Sequence, residues 1–151
     1  MTVPPFRVAR QGDMNETGYR VEPIGYIRSR LTSLEAAPLQ GDEGAPDAWL
    51  ELTAPVTLGL AGIAPGAELI VLTWLHRASR DVLQVHPRGS LEAPLTGVFA
   101  TRSPDRPNPV GLHRVSVLEV AGHRLRVAPM EAIDGTPVID IKAVLAQPDV
   151  R

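Results

Sequence analysis

Residues 68–76 read Glu68-Leu69-Ile70-Val71-Leu72-Thr73-Trp74-Leu75-His76, an apolar run that begins on a carboxylate and ends on an imidazole. Its length, its β-branched and aromatic content and the Pro65-Gly66 turn signal before it mark a buried strand rather than a helix. Upstream, Val56, Leu60 and Ile63 share helical spacing over only one or two turns. Before them, Ala48 to Ala54 alternates Ala48, Leu50 and Leu52 against Trp49, Glu51 and Thr53, which is a strand pattern. Glu35 to Asp47, with Pro38, Gly41, Gly44 and Pro46, is a loop, and Tyr19 to Leu31 is strand-forming but carries Pro23, which favours a sheet start or edge. Downstream, strands are expected at Gly97–Thr101, Leu112–Val120, Arg124–Ala128 and Val138–Lys142, with a hairpin turn at Ala121-Gly122-His123.

The totals agree with many short strands. At 151 residues and 44% hydrophobic content, the chain can bury one sizeable core. Fifteen prolines and 13 glycines suit tight turns better than long helices. The expected fold is mostly β, a single domain forming a barrel or sandwich with one or two short helices. Residues 1–18 are polar and aperiodic and read as a flexible N-terminal tail, residues 19–147 as the domain, and 148–151 as a C-terminal tail.

Several function classes drop out. Without cysteine, no disulfide framework or thiolate metal site can form, and His76, His86, His113 and His123 lack metal-ligand spacing, so no metal is expected. No stretch approaches a membrane span and the N-terminus lacks an apolar signal region, so the expectation is a cytoplasmic protein with no membrane partner. Nucleotide-binding glycine motifs, Walker loops and the common hydrolase signatures are missing. Net charge is only -2, yet it is unevenly spread. Leu31 to His76 holds six acids and no Lys or Arg, whereas Arg77 to Arg114 holds six arginines against three acids. Either a local positive surface or an evenly mixed one is compatible with that count.

Three segments carry candidate chemistry. Gly97 to Gly111 runs from a strand into a loop with Pro104, Pro107 and Pro109, interleaved with Arg102, Ser103, Arg106 and Asn108. Prolines stiffen such a loop before any ligand arrives, and its polar groups suit a carboxylate, a phosphate or a base edge, although a surface turn needs the same composition. Met130 to Lys142 contains the turn Asp134-Gly135-Thr136-Pro137, then Asp140 and Lys142 alternating with Ile139 and Ile141, one pair on each strand face. His76-Arg77 ends the buried strand and His86-Pro87-Arg88-Gly89 follows; either histidine can cap a strand or sit at a pocket rim.

Taken together, Ile24-Gly-Tyr-Ile-Arg-Ser29, the strand ending at His76, Gly97-Val-Phe-Ala-Thr-Arg-Ser103, Arg106-Pro-Asn-Pro-Val-Gly111 and Asp134-Gly-Thr-Pro-Val-Ile-Asp-Ile-Lys142 resemble the TrmO (TsaA-like) family in order and spacing. The resemblance implies a β-barrel S-adenosylmethionine-dependent methyltransferase that acts as a homodimer on a modified adenosine beside the tRNA anticodon. It places the cofactor against Pro38, Leu39, Gln40, His76, Arg77, Arg102, Leu112, Ala132, Ile133, Asp134, Gly135 and Thr136. His76 and Asp134 become the catalytic candidates, Arg102 the grip on the cofactor carboxylate, and Arg106, Asn108 and Lys142 the contacts to RNA. Two departures are visible: Leu39 stands where members commonly have arginine, and the chain ends at Arg151 without the C-terminal domain of longer members. Two further readings follow from them: a same-fold methyltransferase for a small molecule or another RNA, and a cofactor-binding module without catalysis.

Overall fold

The computed structural model describes residues 18–35, 37, 38 and 41–146, so Leu39, Gln40, most of the expected N-terminal tail and the C-terminal tail lie outside the described residues. Six antiparallel strands close into a barrel in the order β1 (Gly25–Arg28), β2 (Ala48–Leu52), β7 (Arg124–Ala128), β6 (Val110–Ala121), β3 (Glu68–Trp74) and β8 (Pro137–Ala143), with β8 returning to β1. A two-stranded ribbon of β4 (Gln84–Val85) and β5 (Thr96–Gly97) stands outside the ring.

Alternation decides which residues fill the barrel. Ile27, Leu50 and Leu125 occupy adjacent rungs of β1, β2 and β7 and are all completely buried, as are Val71 and Val138. A six-stranded ring has an interior that side chains alone can fill. Gly25 is dictated by this closeness: a Cβ there would sit 2.5 Å from the Glu51 carbonyl oxygen and 2.7 Å from Leu52 Cδ2. Gly122, at φ 62°, supplies the left-handed position of the β6–β7 hairpin.

The expected short helical turns appear as 3-10 segments, of which Ala54–Leu60 is the longest. Pro55, Gly59 and the positive-φ Gly62 keep it from extending.

Two sequence expectations need correction. Of Gly97–Thr101 only Gly97 is strand, as the last residue of β5; Val98–Ala100 curls into a 3-10 turn. The Val98 carbonyl accepts from the Thr101 N–H (3.1 Å), the Thr101 hydroxyl (2.9 Å) and the Arg106 guanidinium (2.7 Å), so it is unavailable to a strand ladder. In β8, Ile139 and Ile141 do not share the inner face. The register against β3 slips between Leu72 and Thr73, pairing Thr73 with Val138 and Leu72 with Asp140, and Val138 and Ile141 are the residues that pack in the core.

Candidate functional site

The C-terminal end of β3 and the N-terminal end of β6 meet at one mouth of the barrel, where Thr73 pairs with Gly111 and Trp74 with Val110. A cavity of about 300 Å³ opens there, walled by the chain leaving β3, the proline loop before β6 and the segment between β7 and β8. Of the residues singled out in the sequence, Pro38, His76, Arg77, Arg102, Arg106, Leu112, Ala132, Ile133 and Thr136 line it. Asp134 and Gly135 lie between two lining residues, but their polar groups fasten the turn to the end of β1. Asp134 Oδ1 accepts from the Ser29 N–H at 2.9 Å, the Asp134 N–H donates to the Leu31 carbonyl at 2.7 Å, and the Gly135 N–H to Ile27 at 2.8 Å. Lys142 is on β8, ion-paired with Asp140 at 2.8 Å, and is not part of the cavity wall.

The proline loop is held as well as stiffened. Arg106 donates to three backbone carbonyls, Ser103 (2.8 Å), Val98 (2.7 Å) and Thr101 (2.6 Å), so its guanidinium shapes the loop from within. Arg80 reaches the Pro107 carbonyl (2.7 Å) and Asn108 Oδ1 (2.9 Å) while its guanidinium lies over the Trp74 ring at 5.1 Å. Asn108 thus serves Arg80 and is not a wall of the cavity. Asp105 Oδ1 accepts from the Ser79 N–H at 2.8 Å and completes the stitching.

The uneven charge of the sequence resolves in space. Arg88 pairs with Glu43 and Arg114 with Glu68, each an arginine of the basic half meeting an acid of the acidic half. With Arg80 and Arg106 engaged as described, Arg77 and Arg102 are the arginines of the six whose guanidiniums make no hydrogen bond or ion pair among the described residues, and both line the cavity. Two unengaged guanidiniums at a concave site are suited to an anionic group such as a carboxylate or phosphate.

His76 stands beside them. Burial first, and the Arg77 charge second, hold its imidazole below the ordinary value of 6.5, so it is neutral at pH 7 and offers one donor and one acceptor nitrogen. An NMR titration of His76 is expected to give a midpoint below 6.5, and Arg77→Ala to raise it part of the way back, since removing a like charge relieves the smaller of the two causes. His86 instead caps its own loop through the Ala93 carbonyl at 2.9 Å.

Sequence reasoning missed a buried histidine at the mouth. His113, on the inner face of β6, places Nε2 2.6 Å from the Thr73 hydroxyl and Nδ1 2.6 Å from Glu131 Oε1. The side chains of His113 and Glu131 are only 4% and 15% exposed. Gly111 makes room: a Cβ there would meet Thr73 Oγ1 and approach His113 Nε2 to 2.8 Å. The available signal was a histidine in the inward phase of an otherwise apolar strand, which must find a partner.

Comparison with known proteins decides the family. The model of the tRNA-methyltransferase O N-terminal domain matches residues 26–150, which span nearly the whole barrel. The chain belongs to this family. Its TrmO-type barrel bears out the resemblance seen in the sequence and the mostly β fold expected from it. A crystal structure of TrmO from Pseudomonas aeruginosa is similar with a TM-score of 0.68 and 32% identity, covering 92% of this chain and 62% of that one. A second TrmO crystal structure gives 0.68 and 31%, covering 89% and 63%. The chain therefore spans less than two thirds of these solved TrmO chains, whereas it covers most of the length of two archaeal relatives. A protein of Methanothermobacter thermautotrophicus named probable S-adenosyl-L-methionine-binding protein is 41% identical over 85% of this chain and 92% of its own length. One of Archaeoglobus fulgidus, named S-adenosyl-L-methionine-binding protein, is 43% identical over 81% and 86%.

Proposed function

We infer that this TrmO-family chain is an S-adenosylmethionine-dependent methyltransferase whose acceptor is the exocyclic nitrogen of a modified adenosine in tRNA. The observation that carries the reading is the pair of guanidiniums unengaged among the described residues, Arg77 and Arg102, on a cavity whose wall also includes the apolar side chains of Leu34, Leu75, Leu112 and Ile133. That combination fits an amphipathic cofactor with a carboxylate at one end and a flat aromatic base at the other.

When bound, S-adenosylmethionine supplies an electrophilic methyl group on a sulfonium. The chain's own contribution is placement and electrostatics. Arg102 would hold the carboxylate, Arg77 would add positive charge, and His76 would offer a hydrogen bond at the rim. Leu112, Ala132 and Ile133 would supply an apolar wall for the base together with Pro38, and Leu39 and Gln40, which follow Pro38 in the sequence, are further contacts of this reading. Asp134 and Gly135 pin the turn to β1 and so set Thr136 in the cavity wall beside the adenosine, while the loop shaped by Arg106 and Asn108 and the strand bearing Lys142 are the elements this reading turns toward RNA. Exposed Leu34 and Leu112 at the mouth suit a second copy of the chain closing over the cofactor, so the working form is a homodimer, and a tRNA-modifying enzyme of this kind works in the cytoplasm. Among the described residues, no helix is long and apolar enough to cross a membrane and no cluster of His, Asp and Glu is arranged to hold a metal ion.

Calorimetric titration with S-adenosylmethionine tests the cofactor, and methyl incorporation into tRNA from a strain lacking the mark tests the acceptor. Arg102→Ala is expected to weaken cofactor binding at least tenfold, about 1.4 kcal/mol. Cofactor binding with no methyl on tRNA would favour a small-molecule or other RNA acceptor, a reading supported by archaeal relatives of similar length whose names mention the cofactor but no acceptor.

A further inference from the structure

We propose that Glu131 is the proton acceptor of the methyl transfer, held in position by His113 and Thr73; the proposal rests on the methyltransferase reading above. The hydrogen-bond directions at these three residues follow from chemistry. A carboxylate can only accept, so the 2.6 Å contact to Glu131 Oε1 requires the proton on His113 Nδ1. A neutral ring then has an unprotonated Nε2, which the Thr73 hydroxyl satisfies by donating across 2.6 Å. Every donor in the chain points the same way, from Thr73 through His113 to Glu131, and the chain ends on an acceptor.

The second carboxylate oxygen is what the chain leaves open. Among the described residues no buried side-chain nitrogen or oxygen lacks a partner, and the Glu131 carboxylate makes no hydrogen bond or ion pair apart from the one with His113. Oε2 is therefore accessible, and the residue to which it belongs lines the cavity. Asp105 and Asp134, the other carboxylates around this mouth, hold the Ser79 and Ser29 backbone N–H groups and have structural tasks. Glu131 also has no arginine or lysine within ion-pair distance among the described residues, so no salt bridge to such a side chain has to break for it to take a proton.

The step balances simply. The acceptor nitrogen's lone pair forms the new N–CH₃ bond as the S–CH₃ bond breaks with its electron pair left on sulfur. The nitrogen's N–H proton then passes to Glu131 Oε2, from which solvent removes it after product leaves. His113 does not touch the acceptor; it is a positioning residue that keeps Oε1 occupied and leaves Oε2 for the proton.

Single-turnover methyl transfer to unmarked tRNA, run beside calorimetry with S-adenosylmethionine, tests this. Glu131→Gln keeps the shape and the acceptor for His113 but cannot take a proton. It is expected to bind cofactor within about threefold of the unmodified chain and to transfer methyl at least about 100-fold more slowly. Added formate is expected to restore part of the rate to Glu131→Ala, and added imidazole part of the rate to His113→Gly; a purely structural role would respond to neither. A tenfold loss of cofactor affinity in Glu131→Gln would make Glu131 a cofactor contact and overturn the proposal. So would an unchanged transfer rate, or a lost rate that formate does not restore. Failure of the unmodified chain to bind cofactor or mark tRNA would instead bring down the functional reading, and this inference with it.

Discussion

Leu50→Ala is expected to lower the unfolding free energy by about 2–5 kcal/mol and the melting midpoint by roughly 5–20 °C, as read by calorimetry or circular dichroism. The magnitude follows from where the side chain sits. Leu50 is 0% exposed and stands between Ile27 on β1 and Leu125 on β7, both also 0% exposed, so the lost methyl groups are not replaced by water. Strands locked in a closed ring cannot collapse inward as an open sheet edge can, which puts the expected cost in the upper half of the range. Leu58→Ala, at a position 91% exposed, is the matched control and is expected to change stability by less than about 0.5 kcal/mol.

The second large effect is expected from His113→Leu, and here a double variant carries the argument. Leucine fills the space but removes both ring nitrogens, so the Thr73 hydroxyl, on a residue 0% exposed, loses its acceptor and Glu131 its donor. Each such loss costs about 1–3 kcal/mol. Thr73→Val in the same background removes one orphaned group and is expected to recover about 1 kcal/mol or more, as judged by denaturant midpoints at constant slope. Additive behaviour would mean that the two side chains are not coupled.

Much of the barrel was legible because its signals are local. Arg124–Ala128 alternates cleanly with the hairpin glycine just before it, and β7 has those bounds. The bounds of β2 and β3 were each read within two residues for the same reason. What was illegible depends on distant groups. The Val98 turn exists because Arg106 reaches back eight residues to its carbonyl, and nothing in Gly97–Thr101 announces that. The β8 bulge is a property of its pairing with β3, so the Ile139/Ile141 alternation pointed to the wrong pair of core residues.

The site divides along the same line. Arg102, Arg77 and His76 were found from motif and position, and the cavity gathers them. Arg106 and Asn108 have the right chemistry for RNA, yet in the fold their side chains already hold loop carbonyls and Arg80, which composition cannot reveal. His113 and Glu131 are 18 residues apart and meet only because β6 and the segment after β7 converge on one end of the ring.

The order of strands around the ring also has a consequence for synthesis. Among the described strands, only the β1–β2 and β4–β5 pairs can form from the first hundred residues, because β3 finds its partners in β6 and β8 and β2 finds its second in β7. A chain emerging from the ribosome therefore carries the apolar β3 segment without a partner until β6 is made, and the ring cannot close before β8 emerges. During translation this stretch is the one most in need of a chaperone, and slow codons between β3 and β6 would prolong its exposure.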